Sequence, residues 1–266
     1  MTAVDAGKTM RTGPIEGPLT TAQIDAFYRD GYLVFPSLYS AEEMGEIAAW
    51  VDEVGNWPET PGKHMMYFEK SLKNGARVLN RLENFAPYHE GFNRMFRDGK
   101  LHAATSQLLG ERAVLFKEKI NFKLPGGGGF ETHQDQQAGW STYAEFFLTS
   151  MVSMDQATIE NGCLEIAAGQ HDRGLVHAEW EPLSEADTKD MNFVYCETKP
   201  GDAVFFDCYA PHGSKPNLSD KKRRVLYVTY NRASDGDHLE QYYADKRASY
   251  PPDIERDPDK EYRYRV

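Results

Sequence analysis

The chain has 266 residues, 40% hydrophobic and 12% aromatic, which is enough for one well-filled core, since all-β barrels of about 200–250 residues commonly form a single domain. A net charge of −11 and a pI near 5.2 exclude the basic footprint that a nucleic acid or an anionic membrane surface requires, but leave room for a local cationic patch facing a small anion. No apolar run approaches the roughly 18–20 residues of a membrane span. The N-terminus MTAVDAGKTMRTG lacks the apolar stretch of a secretory signal. The three cysteines Cys163, Cys196 and Cys208 are odd in number and far apart, as expected of free thiols in a reducing, cytoplasmic setting.

Residues 1–18, rich in Gly, Thr and Pro, carry almost no apolar pattern and are expected to be mobile; residues 19–266 are expected to form one domain. Thr20 and Gln23 have capping-box spacing. Ile24, Phe27 and Tyr28 follow at helical spacing, and Gly31 stands where a C-terminal cap belongs. Tyr32 to Leu38 reads as a strand interrupted by Pro36, and Ser40 with Glu43 opens a second helix running to about Val54. Residues 55–75 mix Gly, Pro and Lys and read as a surface excursion. From Arg112 onward short apolar segments recur between turn signals: VLFKEKINFKL, FFLTSMVSM, GCLEIAAG, NFVYCET, DAVFFDC and RVLYVTYN. Strands at this spacing predict a sandwich or barrel. Helices first and strands after predict an α+β chain with a double-sheet core. The charged, tyrosine-rich tail from Ser234, broken by Pro251 and Pro252, suits either wrapping of the domain or an oligomer contact.

The chemistry centres on His133-Gln134-Asp135 and the distant His212. Side chains at i and i+2 of an extended segment point to the same side, so His133 and Asp135 can grip one ion. An imidazole from another strand completes two nitrogens and one carboxylate on one face of an octahedron. The three open positions suit an Fe(II) oxygenase that binds a co-substrate and O2 together. His-x-Asp alone is common by chance, and its context raises its weight. Gly126 to Gly129 form a flexible turn ahead of it, DAVFFDCYAP delivers His212, and Arg223 and Arg224 open the next strand. Arginine suits a bidentate grip on a carboxylate. Adjacent strand residues face opposite ways, so one arginine points inward; position relative to His212 favours Arg223 and leaves Arg224 in solvent. Of the eight histidines, His64, His89, His102, His177 and His238 have no partner at ligand spacing, and His171 is read as a structural turn residue.

Period-2 alternation puts Lys117, Lys119, Asn121 and Lys123 on one face of their strand and Phe116, Ile120 and Phe122 on the other, with Glu118 out of pattern. This is either an ordinary amphipathic strand with its lysines in water or the cationic mouth of a cleft for a carboxylate, phosphate or phosphonate. Trp140, Tyr143 and Phe147 are core or pocket wall.

The combination of His133-x-Asp135, His212 and Arg223 eleven positions later, with Asn161-Gly162-Cys163-Leu164, Gly169-x-His171 and the opening LTTAQIDAFYRDGYLV, resembles the phytanoyl-CoA dioxygenase-type family of 2-oxoglutarate oxygenases over roughly residues 19 to 232. The resemblance implies a mainly β protein with flanking helices around a double-stranded β-helix (jelly-roll, cupin-like) core. Fe(II) would be held by His133, Asp135 and His212, with 2-oxoglutarate and O2 as co-substrates. Arg223 and Ser214 would take the C5 carboxylate of 2-oxoglutarate, Asn121 would touch it near the iron, and Gln134 matches the middle of the family's HQD. Met151 departs from the family, some of whose members have Trp there. Asp135 stands where halogenating relatives have a small residue, which favours hydroxylation. Segments such as FKEKINFKLPGGGGF, HQDQQAGW and SDGDH resemble the branch acting on 2-aminoethylphosphonate, with Lys117, Lys119, Lys123, Trp140 and Tyr143 as substrate contacts and hydroxylation at the carbon next to phosphorus. Hydroxylation of an amino acid or a natural-product intermediate is the neighbouring alternative. A cupin-like isomerase would add further histidines, and a silent binding module would lack a ligand or the arginine.

Overall fold

In the computed structural model, which describes residues 15–262, both capping boxes close. Thr20 and Ser40 each accept the N–H three residues on, and Gln23 and Glu43 reach back. They start α1 (Thr21–Asp30) and α2 (Ala41–Gly55), separated by β1 (Tyr32–Phe35), and Gly31 caps α1 at φ 78°. Most of the segment expected to be mobile, residues 1–14, lies outside the described residues.

The surface excursion expected at 55–75 is in part a strand. β2 (Met65–Lys70) pairs with β3 (Arg77–Glu83), and Met65, Met66 and Tyr67 are buried. Mixed composition hid it because only one end of the strand enters the core. Helices α3 (Glu90–Arg97) and α4 (Lys100–Leu109) follow. The strands then arrive as expected: β4 (Ala113–Lys123), β5 (Phe130–His133), β6 (Leu148–Ser153) and β7 (Leu164–Ala167). A one-turn α5 (Glu185–Thr188) precedes β8 (Phe193–Cys196), β9 (Ala203–Asp207), β10 (His212–Ser214) and β11 (Arg223–Arg232), and α6 (Leu239–Ser249) ends the series.

The strands form two sheets, a seven-stranded one in the order β1-β9-β6-β11-β4-β3-β2 and a four-stranded one in the order β5-β10-β7-β8. All their pairings are antiparallel. The chain before Arg112 therefore supplies three strands to the large sheet, and the division into helices followed by strands is incomplete. Apolar residues of both sheets, among them Met151, Leu164, Ile166, Val204, Phe206 and Val225, close one part of the space between them. A larger cluster joins the outer face of the large sheet to the helices through Val51, Leu82, Phe92, Leu108, Ile120 and Val228. Helix α6 of the tail packs on β4 with Leu239, Tyr242 and Tyr243 buried. Among the described residues no helix is long and apolar enough to cross a membrane, and the three cysteines are unpaired.

Candidate active site

β4 and β11 run side by side in a register that sets the site. Arg223 lies opposite Lys123, Val225 opposite Asn121, Tyr227 opposite Lys119 and Thr229 opposite Lys117. On the flanking strands Arg81 and Glu83 continue the Asn121 and Lys119 rungs, and Met151 and Thr149 continue those of Tyr227 and Thr229. Strand alternation turns this whole set toward the space between the sheets, so a polar ladder lies beside the apolar part of the core.

The small sheet brings the donors to this ladder. His133 ends β5, His212 begins β10, and the two are register partners with ring centroids 4.4 Å apart. Gly129 allows the approach, since a Cβ there would stand 2.7 Å from the Ser214 carbonyl oxygen. Asp135 follows in a 3-10 turn, its Oδ1 3.9 Å from Nε2 of each histidine. The three donor atoms all lie within 4.8 Å of one another, close enough to hold a metal ion.

Hydrogen bonds aim the donors. Nδ1 of His133 faces the Glu131 carbonyl at 2.7 Å and Nδ1 of His212 that of Ala210 at 2.9 Å, so protons on Nδ1 leave both Nε2 lone pairs directed at the site. Thr149 Oγ1 donates to Asp135 Oδ2 at 2.8 Å, leaving Oδ1 toward the histidines. Burial, then the neighbouring His212, lowers the His133 pKa, and burial lowers that of His212. Burial opposes the charge on Asp135, but His212, Lys119 and His133 outweigh it and hold the carboxyl below its ordinary value. Neutral imidazoles and an ionised carboxylate are the forms a divalent metal requires. The set fits Fe(II), with one side of the coordination sphere left to small molecules.

At one end of the ladder Arg223 is 1% exposed, and its Nε and Nη2 have no hydrogen-bond partner among the described residues; the same holds for Asn121 Oδ1. A buried guanidinium with open donors costs stability and fits a carboxylate that arrives from outside. Ser214 accepts at 2.7 Å from the Nζ of Lys123, the register partner of Arg223. Lys123 differs from expectation in place. Its ammonium also donates to the carbonyls of Lys215 at 2.6 Å and Gly162 at 3.3 Å, so it braces Ser214 rather than lining the cleft. Burial, then Arg223, pushes it down to about 6.

At the other end a cavity of about 670 Å³ opens over His133 and Asp135, bordered by Lys117, Lys119, Trp140 and Tyr143. Lys117 Nζ lies 4.8 Å from the Trp140 ring centroid and 5.4 Å from that of Tyr242. Lys119 Nζ lies 5.0 Å from the Tyr227 centroid and makes no hydrogen bond or ion pair among the described residues. The lysines of β4 are thus not the solvated face of an amphipathic strand.

Two further expectations change. Gln134, matched to a co-substrate contact, faces away from the metal residues, as the neighbour of His133 on an extended segment must. Its amide is spent on the carbonyls of Gly174 and Tyr209 and the N–H of Val176. Arg224, expected in water, is 5% exposed and paired to Asp155 and Asp52. The remaining histidines have local roles: His89 caps α3, His64, His102, His171 and His238 face backbone carbonyls, and His177 faces the Glu181 carboxylate. Sequence reasoning missed Thr149, the Arg81–Glu83 pair and the α6 residues Asp245 and Lys246, which border the cavity. Thr149 had a signal in its strand period, but nothing in the tail's composition marked α6.

Residues 27–225 match the family model described as phytanoyl-CoA dioxygenase (PhyH). The chain is 44% identical over 220 residues to a 2-aminoethylphosphonate dioxygenase of the uncultured bacterium HF130_AEPn_1, covering 82% of this chain and 83% of that one. It is 40% identical over 235 residues to a methylphosphonate hydroxylase of Gimesia maris, covering 87% and 88%. Among solved structures, EctD from S. alaskensis with 2-oxoglutarate and 5-hydroxyectoine superposes with a TM-score of 0.72 at 22% identity, covering 85% of this chain and 83% of that one.

Proposed function

The chain belongs to the phytanoyl-CoA dioxygenase family and is a 2-oxoglutarate-dependent non-haem iron dioxygenase, and from that premise we propose that it hydroxylates the carbon next to phosphorus in a small phosphonate, with 2-aminoethylphosphonate as the preferred substrate. The observation that carries this reading is the cationic wall beside the metal residues. In a molecule of net charge −11, Lys117 and Lys119 converge on the cavity over His133 and Asp135, and the Lys119 ammonium has no hydrogen-bonding or ionic partner among the described residues. Such a wall takes a doubly charged anion. The names of the two relatives at 44% and 40% identity agree with it.

Bound Fe(II), 2-oxoglutarate and O2 supply the oxidation, in which the co-substrate becomes succinate and CO2 and one oxygen atom enters the substrate's C–H bond. The chain's part is placement. His133, Asp135 and His212 would hold the iron, and Thr149, bonded to Asp135 Oδ2, leaves Oδ1 toward the two histidines. Arg223, with Ser214 braced by Lys123, receives the C5 carboxylate of 2-oxoglutarate, and Asn121 touches the co-substrate nearer the metal. Lys117 and Lys119 would hold the phosphonate in the cavity that His133 and Asp135 also line. Trp140 and Tyr143 wall the substrate and limit water.

The test supplies protein with Fe(II) and 2-oxoglutarate, admits O2, and follows succinate and the phosphorus NMR spectrum over a panel of phosphonates and amino acids. Succinate should rise with a phosphonate, and the new phosphorus resonance should belong to the α-hydroxy product. Succinate that rises only with an amino acid sinks the substrate assignment, and none under any condition sinks the iron-site roles as well.

A further inference from the structure

Resting on that reading, we propose that Gln137 is a positioning residue: it ties the turn that carries Asp135 to residues 174–183, and so sets Trp180 as the wall that confines the substrate in the cavity.

Residues 174–183 lie between the 3-10 turn His171–Arg173 and α5 and form no helix or strand. Backbone without a ladder of its own is placed by the partners its polar groups find. Two buried glutamines beside the metal residues supply them. Gln134 donates to the Gly174 carbonyl at 2.7 Å and accepts from the Val176 N–H at 2.8 Å. Gln137 Nε2 donates to the carbonyls of Ala178 at 2.9 Å and Glu181 at 2.6 Å, on either side of Trp180. The Trp180 N–H donates back to the Gln137 carbonyl at 2.8 Å. Gln137 Oε1 accepts at 2.8 Å from the N–H of Gln134, the residue between His133 and Asp135. One fully buried amide therefore uses both donors and its acceptor to join the ligand turn to the segment. At such burial none of these bonds can be exchanged for water unless the segment opens.

Trp180 is where that placement matters. It borders the cavity with His133 and Asp135, whereas Gln137 does not. Trp180 is 43% exposed, and its φ of 69° lies in the left-handed region, which a bulky side chain occupies only where its surroundings impose it. Its ring lies against Gly139, where a Cβ would stand 2.2 Å from Cζ2. Gln137 thus holds the Trp180 backbone, and Gly139, itself at φ 72°, vacates the place that the ring takes. An indole kept half in water on a strained backbone does little for the core, but at the cavity mouth it narrows the opening with a large rigid face. A cavity of about 670 Å³ is wide enough for a drug-sized ligand, so a small phosphonate needs such a wall to be held still.

The experiment follows hydroxylation of 2-aminoethylphosphonate with Fe(II), 2-oxoglutarate and O2 in the unaltered protein, Trp180→Gly, Gln137→Met and the double variant. Glycine suits the left-handed backbone, so Trp180→Gly removes the ring and leaves the segment in place. Gln137→Met keeps the side chain's length and loses its amide. Each single variant should raise the KM for the phosphonate about tenfold, the order of one lost aromatic contact. The KM for 2-oxoglutarate and the iron content should hold. Hydrogen exchange over residues 174–183 should quicken in Gln137→Met. Because Gln137 acts through Trp180, the double variant should be no worse than Trp180→Gly alone. Effects that multiply in the double variant, or loss of iron or of fold in Gln137→Met, would show that Gln137 supports only the metal turn and overturn the inference. A phosphonate KM unchanged in Trp180→Gly would overturn it too, whatever Gln137→Met does. In each of these cases hydroxylation by the unaltered protein leaves the phosphonate reading intact. No hydroxylation of the phosphonate by the unaltered protein overturns both.

Discussion

On the outer face of the large sheet, Arg224 is closed in by partners: Asp155 takes its Nε and Nη2 at 2.9 and 3.0 Å, and Asp52 of α2 takes Nη1. One residue earlier on the same strand, turned to the inner face, Arg223 is equally buried and keeps two donors without partners among the described residues. Glu118 and Lys119 repeat the contrast on β4. The Glu118 carboxylate accepts from the Ala86 N–H and the Tyr243 hydroxyl, whereas the Lys119 ammonium lies over the Tyr227 ring and has no hydrogen-bond or ionic partner among the described residues. Protein interiors normally satisfy their polar groups, so a face that closes its charges is architecture, and a face that leaves them open is arranged for something that arrives later.

If that contrast holds, mutations one position apart should fail in different ways. Arg223→Ala should raise the KM for 2-oxoglutarate by a hundredfold or more, since losing one side of a buried charge pair costs about 2–5 kcal/mol. The melting temperature should hold or rise, because an unpaired buried guanidinium is removed. Iron content should be largely retained, and equal loss of iron and co-substrate binding would refute the role given to Arg223. Arg224→Met should do the reverse. It strands Asp155 partly buried, at a cost of about 2–3 kcal/mol once the exposure of Asp52 is discounted, visible in urea unfolding, with the KM for 2-oxoglutarate unchanged. Matching effects from the two variants would dissolve the distinction between the faces.

How much of this was legible follows from the range of each signal. His133, Asp135 and Arg223 could be read because strand alternation is local and fixes their side, and both capping boxes lie within four residues. Arg224 was misplaced by the same rule, which gives the side but not what covers it; α2 brings Asp52 from 172 positions away. Lys123 and Lys119 share a face, and sequence alone could not say that the Ser214–Lys215 turn would absorb one and leave the other to the cavity. β2 was missed because a strand with one buried end shows too little period to count. Asp245 and Lys246 were invisible as cavity-lining residues because a charged, tyrosine-rich tail has no feature that says what it packs against.

The smallest effect tests the closed face by pH. Burial raises the Glu118 carboxyl from its ordinary range to about 7, with Glu83 adding to the rise and the hydrogen bonds from Ala86 and Tyr243 opposing it. The folded protein therefore binds a proton that the unfolded chain has already released between about pH 4.5 and 7. By linkage, stability from this group is full below the unfolded value and is lost as pH rises through about 7. Glu118→Gln keeps an acceptor for Ala86 and can donate to Tyr243 without titrating. Its stability difference from the unaltered protein should shift in the variant's favour by on the order of 1 kcal/mol per pH unit across that interval. Comparing two proteins at each pH cancels Asp207, which burial also raises to about 7, and the opposite contribution of Glu83, whose carboxyl, against the effect of burial, Lys246 and Arg81 hold low. A difference flat from pH 4.5 to 7 would mean that the hydrogen bonds from Ala86 and Tyr243 hold Glu118 ionised in the fold against the effect of burial.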